Sequence, residues 1–158
     1  MSQKKHTLRT HVFPRKFSNK EILNICKRYT RRAFKRKDAG GNISPFCKTH
    51  DGIDVEYSFD DNHYTTDDTA QTGFRKLSRL RAERIAWALP IIRGCARGKI
   101  YFYNTSNGRE YYMPLLEYLV ILNIAENRLR LISAYRITIP AKRKEIHGRF
   151  HKFTLINS

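Results

Sequence analysis

Between residues 78 and 94 the chain reads SRLRAERIAWALPIIRG, and an arginine stands where an apolar side chain belongs. At the helical advance of about 100° per residue, Phe74, Leu77, Ile85, Ala88 and Ile92 fall in one narrow arc. Arg81 lies inside that arc and Arg84 at its margin, while Arg75, Arg79 and Glu83 point away. Burying a guanidinium without a partner is prohibitively costly. Arg81 must therefore find a partner, an aqueous cleft or an anionic ligand. Further along, RLRLISAYRI alternates as a strand with Leu129, Leu131, Ser133, Tyr135 and Ile137 on one face, which is apolar at one end and polar in its middle. A helix packed by its apolar arc on that face brings Arg81 to Ser133 and Tyr135.

His50 and His63 flank a short strand-like stretch and have intrinsic values in the working range of acid–base chemistry. His147 and His151 fall in a basic tail suited to backbone phosphate contact. Cys47, His50 and His63 make a single C-x-x-H without a second ligand pair, too little for a zinc site, so no metal or other cofactor is expected. Cys26, Cys47 and Cys95 are odd in number and widely spaced, which argues for reduced thiols rather than a disulfide framework. Glu83 faces away from the apolar arc and suits an ion pair with Arg79 or Lys76.

The elements that must carry these residues read as follows. Ser18 with Glu21 makes a capping box, apolar side chains recur from Ile22 to Phe34, and Gly40 and Gly41 supply a stop, which predicts a helix over residues 18–37. Its outer face holds Lys20, Lys27, Arg28, Arg31, Arg32 and Lys35, a solvated basic face or a phosphate contact. IDVEYSF alternates as one half-buried strand. The Arg81 helix starts near Thr72 or Phe74 and ends or kinks before Pro90. After residue 98 the period changes to two. KIYFYN, REYYM, LLEYLVILNI and RLRLISAYRITI are strands of an antiparallel meander, and the third, apolar on both faces, is central. AKRKEIHGRFHKF is a basic tail with a short helix broken at Gly148. The expected fold is α+β, with N-terminal helices followed by a four- to five-stranded antiparallel sheet. Its organisation is a basic segment with an acidic loop over residues 1–70 and a second domain over 71–158, or one compact domain overall.

Charge narrows the class of partner. Of the 158 residues, 31 are Lys or Arg and 14 are Asp or Glu, leaving +17, an excess that favours a polyanion and nucleic acid first. The distribution is uneven: 14 basic and 2 acidic side chains over residues 1–50, none and 7 over 51–70, then 17 and 5 over 71–158. The acidic island, DGIDVEYSFDDNHYTTDD, could clamp onto a basic surface of the same chain, mimic phosphate, or form a solvated loop. No apolar run approaches the roughly 18 to 20 residues that span a bilayer, and the first residues lack the apolar segment of a signal peptide. The expectation is a cytoplasmic protein with no membrane contact.

The segments RLRAERIAWALPII, REYYMPLLEYLVIL and LRLISAYRIT, in this order, resemble phage-associated members of the barnase/EndoU/colicin/RelE superfamily of RNases. In that family an Arg-Ala-Glu-Arg helix precedes a hairpin and a strand ending Thr-Ala-Tyr. The likeness covers residues 74–140. Ser133 stands at the threonine position, keeping the hydroxyl, and Ala86 stands at a proline position.

What the resemblance implies is a metal-independent endoribonuclease, often a toxin, whose sheet cradles structured or ribosome-associated RNA. The ribose 2′-hydroxyl attacks its own phosphate, so the protein supplies a proton acceptor, a proton donor and positive charge for the phosphorane. Arg81 suits the third role, because its fork binds phosphate oxygens bidentately and keeps its charge, with Arg84 in support. Ser133 and Tyr135 would position the phosphate, Tyr135 alternatively donating a proton, and His50 or His63 would accept one. Members resembling RelE use lysine and arginine in place of an efficient base. Backbone contacts would come from Lys27, Arg28, Arg31, Arg32 and Lys35, from Arg128, Arg130 and Arg136 on the strand, and from Lys142, Arg143 and Lys144 in the tail. Tyr101, Tyr103, Tyr111, Tyr112 and Tyr118 would stack bases or simply pack in the sheet. Trp87 belongs to the core. A toxin of this charge would need an acidic antitoxin or immunity partner. Two other readings compete: a non-catalytic basic nucleic-acid-binding protein, and a former RNase that binds a protein through the acidic island.

Overall fold

In the computed structural model, residues 4–37, 39–44, 46–57, 66–68 and 75–156 are described. Phe59, His63 and Phe74, which carried parts of the sequence reading, lie outside them. The chain opens with an extended arm. His6 bridges Ala96, the His11 amide donates to the Glu83 carbonyl, and the Trp87 indole donates to the Arg9 carbonyl at 3.1 Å. Helix α1 follows over Asn19–Phe34. Ser18 caps it and Glu21 reaches back to the Ser18 amide at 2.6 Å, so both halves of the capping box form. The helix ends at Phe34 rather than at residue 37. Arg36–Lys37 (β1) turns through Gly40 and Gly41 to pair with Ile43–Ser44 (β2), so the glycines make a hairpin turn instead of a helix stop.

The next strands are short: Cys47–Lys48 (β3), Asp54–Glu56 (β4), Thr66–Asp68 (β5) and Arg75–Leu77 (β6), the last two pairing with each other. The expected long helix from residue 74 is absent. The chain forms two single-turn helices, Arg79–Glu83 (α2) and Ala88–Ile92 (α3). Ser78 starts α2, its hydroxyl accepting from the Arg81 amide at 3.3 Å. Pro90 falls in the first turn of α3, where a missing backbone donor costs nothing, so it sits inside a helix instead of ending one.

The meander is Tyr101–Thr105 (β7), Gly108–Met113 (β8), Tyr118–Ala125 (β9) and Arg128–Arg136 (β10). Helix α4 spans Pro140–Arg149, running through Gly148 without a break, and Thr154–Leu155 (β11) ends the described chain. The main sheet has the order β11-β7-β8-β9-β10-β4-β3, with β9 at its centre. The protein is therefore α+β, but the sheet is a curled, mixed, seven-stranded half-barrel rather than a four- or five-stranded antiparallel one. β4 adds parallel to β10 while every other neighbour is antiparallel. Strands of two or three residues leave too short a period-two signal to be read from sequence.

One core joins the two halves of the chain. Phe13, Ile22, Cys26, Phe34 and Val55 pack with Ala82, Ile85, Ile91, Tyr111, Val120 and Leu131. A smaller core on the other side of the sheet gathers Tyr112, Leu119, Ile137, Ile146 from α4 and Phe153. The three cysteines are buried and form no disulfide, and burial pushes the Cys26 thiol up to about 12. No helix among the described residues is long and apolar enough to cross a membrane.

Candidate functional site

β10 changes faces part-way along. Leu131 pairs with Leu122, but Ser133, not Ile132, pairs with Ile121, so a bulge inserts one residue. Leu129, Leu131 and Ala134 join the larger core, whereas Tyr135 and Ile137 join the smaller one. The single face expected to run from Leu129 to Ile137 is thus divided, and Ser133 and Tyr135 lie opposite the side on which α2 packs Ala82. Arg81 bridges the two sides. Its Nη1 lies 3.4 Å from the Ser133 hydroxyl, and its guanidinium carbon is 4.7 Å from the centre of the Tyr135 ring.

Arg81 opens onto a cavity of about 610 Å³ lined by Ser78, Leu80, Arg84, Tyr135, Arg136, Lys142 and the link 137–139. Among the described residues that line it, four are cationic and none carries a carboxylate or an imidazole. Leu80 and Ile139 at the rim are 62% and 64% exposed. Arg84 donates from Nη1 to the Leu80 carbonyl at 2.9 Å and lies 5.3 Å over the Trp87 ring, which fixes its direction. Burial raises the Tyr135 hydroxyl above the ordinary tyrosine value, against the opposing pull of Lys142 and Arg81. The phenol is therefore protonated at neutral pH and can donate.

Behind the cavity runs a ladder of charge that the sequence did not disclose. The Lys142 ammonium lies 3.2 Å from both oxygens of Glu145. Glu145 is 3.5 Å from Arg149, and Arg149 holds both oxygens of Glu110 on β8. The i, i+3 and i, i+4 spacing of Lys142, Glu145 and Arg149 was a readable signal for the helical part. The contact with Glu110 had no local mark.

His50 is placed elsewhere. Its Nδ1 is 2.9 Å from the Tyr111 hydroxyl and its ring packs against Phe102, within a cluster built on the larger core. There Arg109, only 4% exposed, donates to both oxygens of Asp51 at 2.6 and 2.9 Å, to Asn104 at 2.7 Å and to the Tyr111 hydroxyl at 3.1 Å. Thr49 donates to Asp51 at 2.6 Å. Arg109 already donates to the Tyr111 oxygen, and which of His50 and Tyr111 donates in the bond between them follows from the His50 tautomer. Burial lowers the His50 value, and the bond from Arg109 holds Asp51 well below the usual carboxylate range. Tyr111 is pushed up to about 12 by burial. His50 is thus a member of a closed network and not of the Arg81 cavity. His63, the other expected acceptor, lies outside the described residues.

The expected phosphate contacts separate in the same way. Glu56 binds Arg128 at 3.2 Å and Arg130 at 2.8 Å, and Arg128 also covers the Phe46 ring. Arg143 forks onto Glu117 at 2.6 and 3.1 Å. These arginines hold the fold together. Asp54 lies 3.1 Å from Lys48. Asp51, Asp54 and Glu56, in the first stretch of the acidic island, therefore clamp onto basic side chains of the same protein. Arg136 and Lys142 border the cavity, and Lys144 is exposed. On α1, Arg28, Arg31, Arg32 and Lys35 are exposed, while Lys27 is half-buried. Of the five tyrosines, Tyr111, Tyr112 and Tyr118 are buried, which leaves them to packing, and Tyr101 and Tyr103 are half-buried against Phe150 and Phe153. Trp87 is buried beside Tyr118. The described residues contain no group of three or more His, Cys, Asp or Glu side chains that could hold a metal ion.

No family model, curated protein or solved structure matches this chain.

Proposed function

We propose that the protein is an endoribonuclease that needs no metal, of the kind its resemblance to the barnase/EndoU/colicin/RelE superfamily implies, in a phage-encoded or toxin role. The observation that carries this reading is the cavity bordered by Arg81, Arg84, Arg136 and Lys142, with Tyr135 on its wall and no carboxylate among its described lining residues. Such a lining attracts an oxyanion and repels nothing anionic. In the proposed reaction the 2′-oxygen forms a bond to phosphorus and the bond to the 5′-oxygen breaks. The 2′-proton leaves, and the departing oxygen receives one from the protonated Tyr135 phenol. Arg81 and Arg84 stabilise the charge that gathers on the phosphorane oxygens. Ser133 keeps Arg81 aimed.

Among the described lining residues there is no carboxylate or imidazole to accept the 2′-proton. The 2′-proton therefore passes to water, and turnover lacks the roughly 10²- to 10⁴-fold that a positioned base contributes. The same observation favours a second reading, in which the cavity grips RNA phosphate without cutting it. An acidic antitoxin or immunity protein remains the natural partner for a nuclease of this charge.

Incubating total RNA with the purified protein and excess EDTA, then mapping the new ends, decides between these readings. Ends carrying 2′,3′-cyclic phosphate, lost in Arg81→Ala at unchanged thermal stability, support cleavage. Tight, salt-sensitive binding with no new ends at long incubation supports the binding role. Arg81→Ala that neither cuts nor binds less than the parent rejects the cavity as the site.

A further inference from the structure

A second cationic surface differs in kind from the cavity. Along α1, Lys20, Arg28, Arg31, Arg32 and Lys35 are all exposed, and none has a side-chain partner among the described residues. They fall within a helical arc of about 120° and stretch over about 22 Å of axis. The opposite face is fixed: Ile22, Cys26, Thr30 and Phe34 are buried, with Thr30 donating to the Cys26 carbonyl at 2.8 Å. Glu21 is the one carboxylate on the outer arc, and the capping box occupies it. Elsewhere Lys48, Arg109, Arg128, Arg130, Arg143 and Arg149 are each matched by a carboxylate. The α1 row is left without a carboxylate partner among the described residues.

We propose that this face of α1 docks the phosphate backbone of a base-paired RNA segment, flanking the unpaired nucleotide that occupies the Arg81 cavity. The proposal rests on the cavity being an RNA site. The two surfaces offer different chemistry. The cavity mixes cations with a tyrosine ring and the exposed Leu80 and Ile139, which suits a nucleotide whose base is uncovered. The α1 row offers charge alone, with Tyr29 at its margin as the one exposed aromatic. A single strand gains much of its affinity by stacking on rings and finds only the marginal Tyr29 there. A duplex hides its bases and turns phosphates outward, so a rigid row of cations meets what a duplex presents. α1 packs into the same core as α2, which carries Arg81 and is followed by Arg84. A stem bound on α1 and a strand entering the cavity can therefore belong to one RNA.

The test compares, by fluorescence anisotropy, a hairpin with a scrambled single strand of equal length and composition. The proteins are the full-length parent, Arg28→Glu/Arg31→Glu/Arg32→Glu, and the milder triple glutamine variant, each checked for unchanged thermal unfolding. The parent is expected to prefer the hairpin by about tenfold or more, with both triple variants losing that preference and keeping their affinity for the single strand. The salt slope for the hairpin falls by about 2 to 3, one unit per lost duplex phosphate contact. Equal binding of the two RNAs by the parent, or a preference that survives in the triple variants, overturns the proposal. So does polyglutamate that displaces the hairpin as well as free duplex does, which would make the face a site for acidic protein. Arg81→Ala is the separate arm. If single-strand affinity is unchanged in it, the cavity reading fails, whatever the α1 variants do.

Discussion

The Arg81 guanidinium stands 4.7 Å over the ring of Tyr135, so one tyrosine offers this cation a π face and the cavity a phenol. The two roles separate by substitution. Tyr135→Phe keeps the ring beneath Arg81 and removes the donor. It is expected to leave RNA affinity within about twofold and to lower any cleavage rate by about 10²-fold or more. Tyr135→Leu removes both and also weakens binding, by the ~0.5–2 kcal/mol of a cation–π contact. Single-turnover rates beside anisotropy titrations separate the two. Equal rates in parent and Tyr135→Phe would remove the phenol from the mechanism.

Acid should weaken this fold in two stages. His50 has a lowered value in the folded state, so as pH falls below its ordinary 6.5 the unfolded chain takes a proton that the folded one resists. Stability drops from there. Asp51 is also depressed, and its contribution, present above the ordinary carboxylate value, is lost as pH falls through the folded one. Urea midpoints measured from pH 8 to pH 3 should fall in the first window for the parent and stay flat there for His50→Gln.

Asp51→Ala strands the Arg109 guanidinium, which is 4% exposed. Removing one partner of a fully buried pair costs about 3–5 kcal/mol. Asp51 is 39% exposed, so solvent screening brings the expected loss to about 2 kcal/mol. Asp51→Ala together with Arg109→Met should recover part of it. Chemical unfolding of both variants gives the comparison, and a double variant no better than Asp51→Ala would mean that Arg109 matters for more than its charge.

Gly108 lies where β8 passes closest to β9. A Cβ there would meet the Leu122 carbonyl oxygen at 2.0 Å and the Asn123 Cα at 2.7 Å. Both are backbone atoms of the central strand and cannot turn aside. Gly108→Ala is expected to cost about 1–3 kcal/mol through overpacking, seen as a lower melting temperature. Gly148→Ala, with nothing within 4 Å and a helical position, should be neutral or stabilising.

Glu56 holds Arg128 and Arg130 away from any ligand. Glu56→Gln releases two cations, and the salt dependence of RNA binding should steepen by about 1 to 2 as new phosphate contacts form. An unchanged slope would show that the strand arginines cannot reach RNA even when unpaired.

How much of this was legible in the chain depends on the range of the interaction. The capping box of α1, the four strands of the meander and the central place of β9 follow from residues a few positions apart. The extent of the Arg81 helix did not, because Ser78 competes as a cap and the local period could not show that the chain turns at 84–87. Arg81, Ser133 and Tyr135 do meet, although the face predicted to join them is divided by the bulge at Ile132.

The sequence by itself determined that the protein is heavily and unevenly basic, that a capped helix precedes a four-stranded meander, and that a lone arginine in an apolar arc had to be answered. Tertiary structure alone decided which cations remain available. Glu56, Glu117, Asp51 and Glu110 neutralise arginines that lie 26 to 74 residues away along the chain. Such pairings follow from sheet register and loop path, and neither leaves a mark in the residues beside them.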